Sequence, residues 1–413
     1  ETNAPTMKIR KSSTIAPVKT AFLLTSGICG ICGICGPPPA GGGRRGGRGG
    51  RGGFPPPPRS GKSEGVVIGL DYAQDTRFEG DNGASMLRLV ISLKRLRFSR
   101  LPALVFVGLV LFSGLAFMGM VLNATSLFTH FHFYLALSWG LWLLAFASLP
   151  RLRRCFWVPK RIFQVGTVML LAHSGAVGSL WIGAAQPDLA SPNHLDIVWF
   201  NSHHQLAGIT DLEKLLAPNL PDIIAIAEVG PEVELDLPGF NYIWRSSQNS
   251  GMLIASRFPL ENQRILASSA GARDQLLVDV IVERRRFKLM AVHLRKPYER
   301  GQIDELKAIA ATVVKLSDVI VVGDFNTTPW SAQFRNLCRD AELQHAGAGF
   351  GLLNSFGLSR WRLFPIPIDH MLMKGAIGIE SIAVLPWLNS DHHPIRARFL
   401  LGTPRGRKAR SDH

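Results

Sequence analysis

The segment LPALVFVGLVLFSGLAFMGMVL at 101–122 constrains this chain more than any other feature, because it carries no charged residue. An α-helix needs only ~20 apolar residues to cross a hydrocarbon core about 30 Å thick. Two further apolar segments follow, HFYLALSWGLWLLAFASLP (132–150) and IFQVGTVMLLAHSGAVGSLWIGAA (162–185). None has the polar face that a surface helix of a water-soluble domain keeps, so three membrane-spanning helices are expected. Small residues in the third suit close helix packing, and His173 within it is expected to be packed rather than functional. KRLRFSR precedes the first span and RLRRCFWVPKR joins the second to the third, whereas NATSLFTHF and AAQPDLASPNHLD contain no Lys or Arg. Positive charge marks the cytoplasmic side. The reading is therefore a multi-pass protein of the cell (inner) membrane, with its N-terminus inside and everything after about residue 186 outside.

The net charge of +16 is unevenly spread. Residues 1–185 hold 21 Lys and Arg against 6 Asp and Glu, whereas 186–400 hold 21 against 23. A domain that grips duplex DNA usually carries the neutralising charge itself, and the near-neutral C-terminal region does not. Residues 1–85 include PPPAGGGRRGGRGGRGGFPPPPRSGKS, which has almost nothing to bury and is expected to be disordered. An RGG-like run can bind RNA. However, MLRLVISLKRLRFSR from Met86 makes an ordinary start for a membrane protein, and 1–85 is expected to precede the native start. Cys29, Cys32 and Cys35 fall in that tail without a fourth ligand, Cys155 lies between apolar segments, and Cys338 is alone in the C-terminal region, so neither a disulfide scaffold nor a cysteine metal site is expected. The chain thus divides into a tail (1–85), a membrane region (86–185), a domain (186–401) and a basic tail (402–413).

Within 186–401 apolar runs alternate with amphipathic helices. LDIVWF (195–200), DIIAIA (222–227), GMLIAS (251–256), LLVDVIV (276–282), FKLMAV (287–292), VIVVG (319–323), PIDHMLM (367–373) and PIRARFL (394–400) read as strands. QLAGITDLEKLLA (205–217) places Leu206, Ile209, Leu212, Leu215 and Leu216 on one helical face, and IDELKAIAATVVKL (303–316) is a second helix. The expected class is α/β: a four-layer α+β sandwich of two mixed sheets flanked by helices, preceded by the three transmembrane helices.

The strands end in chemistry. LDIVWF runs into Asn201, DIIAIA into Ala227-Glu228, FKLMAV into His293, and VIVVG into Asp324 and then Asn326; Asp369 lies in a strand, and Ser390-Asp391-His392-His393 precedes the last one. Carboxylates, amides and imidazoles gathered at one sheet edge suit a divalent cation and a phosphate, since hard cations take oxygen ligands. Each residue alone has an ordinary reading, Asp324 and Asp391 in turns and Asn201 as a helix cap. Their order together favours catalysis.

GDFN (323–326) followed by TTPWS, SDHHPI (390–395), VHL (292–294), IDHMLM (368–373) and IIAIAEVG resemble, in order, the endonuclease/exonuclease/phosphatase superfamily, although Ala227 stands where the family usually has Gln. The resemblance covers about 192–401 and implies an Mg²⁺-dependent phosphoester hydrolase, with Mn²⁺ as the alternative ion. It implies that Glu228, with Asn201 and Asp391, holds the metal and that His293 and Asn326 contact the phosphate. Asp324 would handle the attacking water, and His392 would bind or protonate a phosphoryl oxygen with Asp369 behind it. His203, His204, His370 and His393 match no catalytic position and read as neighbours. RRRFK (284–288) reads as an exposed hairpin, and Trp361, Phe364 and Trp387 as core or rim. Only 64 residues separate Glu228 from His293 and 44 separate Asp324 from Asp369, leaving little room for DNA-gripping insertions. Three spans before such a domain resemble the bacterial membrane proteins of teicoplanin resistance. Expected partners are therefore the lipid bilayer and a phosphorylated envelope lipid or small molecule, with DNA or RNA as the alternative substrate and a non-catalytic tethered binding protein as the reading of another class.

Overall fold

The computed structural model describes residues 82–404 except 232, 247–250, 267–272 and 359–362, and omits the side chains of 82–99, 191, 358, 363 and 404. The cysteine-bearing tail, Trp361 and the chain beyond 404 lie outside the described residues. The first helix, Asn82–Gly119, begins four residues before Met86 and ends three residues before the close of the first apolar segment. Among the described residues, three helical stretches, Arg100–Gly119, Asn123–Ser148 and Pro159–Trp181, are long and apolar enough to cross a membrane. The third starts earlier than 162 because Pro159 occupies the first helical turn, where its fixed φ suits a helix start. It gives way at Ile182 to extended backbone.

Leu104, Leu111, Leu144 and Leu171 are exposed on these helices. Such apolar surface is costly in water and suited to lipid. Inward, Phe106, Trp139, Trp142 and Phe146 form one cluster, and the Trp139 indole donates to Ser113 Oγ at 2.9 Å. His173 is packed: it stacks on Phe117 with centroids 4.5 Å apart, and its Nδ1 lies 2.8 Å from His132 Nδ1. The connector NATSLFTHF is a 3₁₀ helix, Asn123–Phe131, with Ser126, Thr129 and His130 buried.

The domain that follows contains two six-stranded mixed sheets. The first runs Ile377–Val384, Ile395–Pro404, Leu189–Asn201, Ile223–Ala227, Leu253–Ser256, Tyr242–Arg245; the second runs Leu260–Leu266, Gln275–Val282, Arg285–His293, Val319–Asp324, Asp369–Lys374, Gln344–His345. Each has one parallel pair at its centre, Leu189–Asn201 with Ile223–Ala227 and Arg285–His293 with Val319–Asp324. Central strands covered on both faces must be apolar throughout rather than alternating, and Ile223–Ala227 and Val319–Asp324 are buried at every position.

The sheets face one another across a core that includes Trp199, Phe287, Met371 and Phe399. Helix Leu206–Leu216 covers the outer face of the first sheet through Ile209, Leu212 and Leu216. Leu206, expected on that face, is instead exposed at the helix start. Helices Gln302–Val313 and Ala332–Asp340 cover the second sheet. These are mixed sheets flanked by helices, in the expected four layers.

The domain is keyed to the helical ends before it. Trp330 Nε1 donates to Ala176 O at 2.8 Å, Thr129 and Thr328 share a hydroxyl hydrogen bond of 3.1 Å, and the N–H groups of Gly349 and Gly351 donate to Leu180 O at 2.9 and 3.1 Å. Tyr134 Oη donates to Pro365 O at 2.8 Å and its ring meets Phe364 edge-on. The inter-sheet core carries the domain's stability. Phe399→Ala, at a fully buried position, is expected to cost about 3–5 kcal/mol, seen as a lower denaturant midpoint for loss of the β-sheet circular dichroism signal.

Candidate functional site

Register assembles the site. Across the second sheet His293 pairs with Asp324, and Asp324 pairs with Asp369, so the three lie side by side on neighbouring strands. In the first sheet Asn201 pairs with Ala227, which puts Glu228 one residue beyond the strand end. A slip of one residue in either sheet would turn its set to the opposite face. Gly323 allows the close approach that this pairing needs, since a Cβ there would strike the Val292 carbonyl and side chain.

Asp324 is the hub. Its Oδ1 accepts from the Asn326 backbone N–H at 2.8 Å, and its Oδ2 accepts from Asn201 Nδ2 and Asn326 Nδ2, each at 3.2 Å. Asn326 Nδ2 also reaches Leu294 O at 2.8 Å. His293 Nε2 stands 3.6 Å and His392 Nε2 3.7 Å from Asp324 Oδ2. Burial first, then the charge of Asp369, push Asp324 up to about 7 against the opposing pull of His392. Glu228 and Asn326 both adopt left-handed backbone, with φ of 56° and 50°. That conformation costs a non-glycine residue about 1–2 kcal/mol and recurs at functional sites.

His392 sits between two carboxylates. Its Nδ1–H donates to Asp369 Oδ2 at 2.7 Å, leaving Nε2 toward Asp324. Asp369 in turn accepts from Trp199 Nε1 at 2.8 Å on its other oxygen, and its N–H donates to Ser355 Oγ at 3.1 Å. Burial alone would lower His392, but Asp369 and Asp324 outweigh it and raise the imidazole to about 9. Burial likewise opposes the Asp369 carboxylate, yet the His392 charge and its hydrogen bonds hold it below the ordinary range.

Asp324, Asp369 and His392 present ligand atoms within 4.8 Å of one another. The imidazole, however, divides its two nitrogens between the two carboxylates, and 2.7 Å to Asp369 is a hydrogen-bond distance. This trio holds a proton better than it holds one ion. The oxygen-rich side of the cleft is at Glu228. Its Oε1 lies 3.3 Å from His293 Nε2 and 3.4 Å from Asn201 Nδ2, and Asp391 approaches the same region across His203. These oxygens fit a divalent cation. Asn201 turns its amide nitrogen to Glu228 and Asp324, while its Oδ1 accepts from the His203 N–H at 3.0 Å. In this orientation it spaces the carboxylates.

The structure thus brings Asn201, Glu228, His293, Asp324, Asn326, Asp369 and His392 together, with Asp391 at the rim. Four further participants have no signal of this role in the sequence motifs. Arg273 donates to His293 Nε2 and, at 3.1 Å, to Leu294 O; burial first and this guanidinium second hold His293 well below the ordinary imidazole range. Trp199 supports Asp369. His203 and His204, which read as neighbours in the sequence, each place a ring nitrogen 3.6 Å from Glu228 Oε2. Only the adjacency of His203 and His204 to Asn201 signalled a role. His370 and His393 turn elsewhere, His370 Nε2 to Thr327 O at 2.8 Å and His393 Nδ1 to Leu385 O at 3.1 Å.

Residues 198–392 match the sequence model of the Endonuclease/Exonuclease/phosphatase family. That match spans most of the two-sheet domain. Similar solved structures include D. rerio TDP2 complexed with a single-strand DNA product, at 16% identity and a TM-score of 0.45, covering 50% of this chain and 99% of that one. An endonuclease/exonuclease/phosphatase family protein from Bacteroides thetaiotaomicron is 12% identical with a TM-score of 0.45, covering 52% and 98%. The 3' phosphatase NExo from Neisseria, bound to a product DNA hairpin, is 16% identical with a TM-score of 0.40, covering 49% and 98%. No curated protein matches the chain.

The raised His392 value sets a pH dependence. The stability contributed by a cation that folding favours is fully present below the unfolded value of 6.5 and is lost as pH rises through about 9. In EDTA, the melting temperature of the detergent-solubilised protein is expected to fall across that window, and His392→Gln to flatten the fall. Parallel profiles for the two proteins would reject this assignment.

Proposed function

We propose that the domain is a divalent-metal-dependent phosphoesterase acting on a phosphate ester of a membrane lipid or small molecule. The observation that carries this reading is the line Asp369–His392–Asp324, flanked by the amides of Asn201 and Asn326 and by the Glu228 carboxylate. Glu228, with Asp391 and Asn201 beside it, would hold Mg²⁺ or Mn²⁺. When bound, such an ion offsets negative charge on the phosphoryl oxygens.

The chain's own groups supply the rest. Asp324, raised toward neutrality, is matched to taking a proton from water near pH 7. His392, kept protonated by Asp369, offers its Nε2–H to a phosphoryl or leaving oxygen. Asn326 and His293 line the phosphate position, and Arg273 adds a cation there. Trp199 and Ser355 fix Asp369, which fixes the His392 tautomer.

A lipid or small-molecule substrate is favoured by the near balance of 21 cations and 23 anions over 186–400 and by the contacts that seat the domain on apolar helices. The flanking charges support an inner-membrane protein with this domain outside the cytoplasm, as in the teicoplanin-resistance membrane proteins that it resembles.

Full-length protein in detergent, given Mg²⁺ or EDTA, should be assayed on polyprenyl phosphates, phospholipids and duplex DNA. Hydrolysis of a lipid phosphate that stops in EDTA and falls by about 10²–10⁴-fold in Asp324→Ala or His392→Ala is expected. Full activity in both variants would sink the site assignment, faster cleavage of DNA at matched salt would make it a nuclease, and no turnover with intact binding would make it a tethered receptor. For orientation, a periplasm-active reporter fused after residue 190 should be active; activity only of a cytoplasmic reporter reverses the topology.

A further inference from the structure

Between the helices His132–Ser148 and Pro159–Gly178 lies an apolar groove of about 500 Å³, a volume typical of small-molecule sites. Phe133, Gly140, Leu141, Ser174, Gly178 and Trp181 are among its walls. Small residues between apolar helices ordinarily let the backbones approach, and Gly166 does so, since a Cβ there would meet Leu143 Cδ2 at 2.9 Å. Gly140 and Gly178 behave differently. A Cβ on Gly140 would meet only Leu170 Cδ1, at 4.0 Å, and one on Gly178 would meet nothing within 4 Å. These two glycines keep space open between the helices instead of closing it.

The depth of the groove matches one leaflet. From Phe133 to Leu144 the helix rises about 16 Å at 1.5 Å per residue, roughly half of a ~30 Å hydrocarbon core. Phe133 and Trp181 mark the end nearest the domain, and Tyr134 and Trp181 there are the aromatic types that line a membrane interface.

The domain segments that meet this end also carry the catalytic line. Val177, a wall of the groove, packs with Trp330, in the segment that starts at Asp324. Gly351 lies so close to the Trp181 indole that a Cβ on it would collide. Four residues further on, Ser355 Oγ accepts from the Asp369 N–H, and Phe356 packs on His392 with ring centroids 4.9 Å apart. Four residues of extended chain reach at most about 14 Å, so the support of Asp369 stands within that distance of the groove's upper end. The hairpin that continues from Phe356 returns to Tyr134 through Pro365 O. A lipid in the leaflet on the domain's side can therefore occupy both compartments, its chain below and its phosphate above.

We propose that this groove seats the hydrocarbon chain of the lipid whose phosphate enters the cleft, so that the protein selects its substrate by chain as well as by headgroup. The inference rests on the phosphoesterase reading for the phosphate, and on the groove for the chain. Bulk lipid wets any apolar face, but it gives no reason for the open end to lie beneath the segments that hold Asp369 and His392.

Full-length protein in dodecyl maltoside, on ice with Mg²⁺, should be photolabelled with three diazirine lipids of identical chains: a phosphatidic acid, a phosphatidylcholine and a diacylglycerol. One or both phosphate-bearing probes are expected to label 133–144 and 170–181 several-fold above the diacylglycerol. Gly140→Leu combined with Gly178→Leu should fill the groove. Neither new Cβ meets a close neighbour and leucine is the better helix former, so the double variant is expected to fold. Its labelling by the phosphate-bearing probes should drop about tenfold or more, since one methylene in an apolar pocket already changes affinity by about that factor. Equal labelling of the wild type by all three probes makes the groove an unselective lipid-facing surface and overturns the proposal, as does undiminished labelling of the double variant. Hydrolysis of p-nitrophenyl phosphate and bis-p-nitrophenyl phosphate by the same samples keeps the two readings apart. Turnover with unselective labelling leaves the phosphoesterase standing and removes this inference. Selective labelling without turnover of these esters or of the lipid probes does the reverse, leaving a groove that binds a lipid phosphate.

Discussion

The buried carboxylate of Asp369 is the constraint around which the domain is organised. It stands on a strand of the second sheet, 1% exposed, where an unpaired charge would be prohibitively costly. Its partners come from the other side of the sandwich: Trp199 from a central strand of the first sheet and His392 from the segment before that sheet's last strand. The two sheets cannot close without supplying those donors, and the donors cannot be placed without the sheets closing. Folding and assembly of the site are therefore one event. His392 inherits its orientation from this pairing, and Asp324 inherits the cation it faces.

Much of this was legible in the sequence for a physical reason. Central parallel strands are covered on both faces, so IIAIA and VIVVG read as unbroken apolar runs, and a polar group at the end of such a run stands out. That contrast exposed Asn201, Glu228, His293 and Asp324. Where burial is one-sided or irregular, the pattern fades. LENQRIL forms the edge strand Leu260–Leu266 with its five middle residues exposed, so nothing in its hydropathy marks it. In IGIESIAV a register shift between Ile379 and Ser381 breaks the two-residue period. Helix Ala332–Asp340 is announced only by Ser331, whose side chain accepts from Phe334 N, and that serine was absorbed into the motif before it.

The supporting residues were hidden differently. Trp199 looked like any large core residue, because its indole N–H matters only opposite a carboxylate 170 positions away. Arg273 sits in a stretch without periodicity. His203 and His204 read only as neighbours, since the left-handed turn that brings them to Glu228 has no signature in residue type. What the linear chain conceals is which side chains share a partner.

The motif GDFN does not end at its asparagine. It continues into Thr327, Thr328 and Trp330, and the last two rest on the helical ends, through Thr129 and Ala176. A few residues of one continuous segment thus carry both a central acid and the anchorage. In the membrane-bound arrangement proposed above, the cleft rides at a fixed height above the bilayer plane and cannot tumble freely. Encounter with a lipid then becomes a search in two dimensions, paced by lateral diffusion and by molecules per unit area. For such an enzyme the meaningful substrate concentration is a surface density, and diluting the membrane with inert lipid would slow it even when the bulk amount of substrate stays the same.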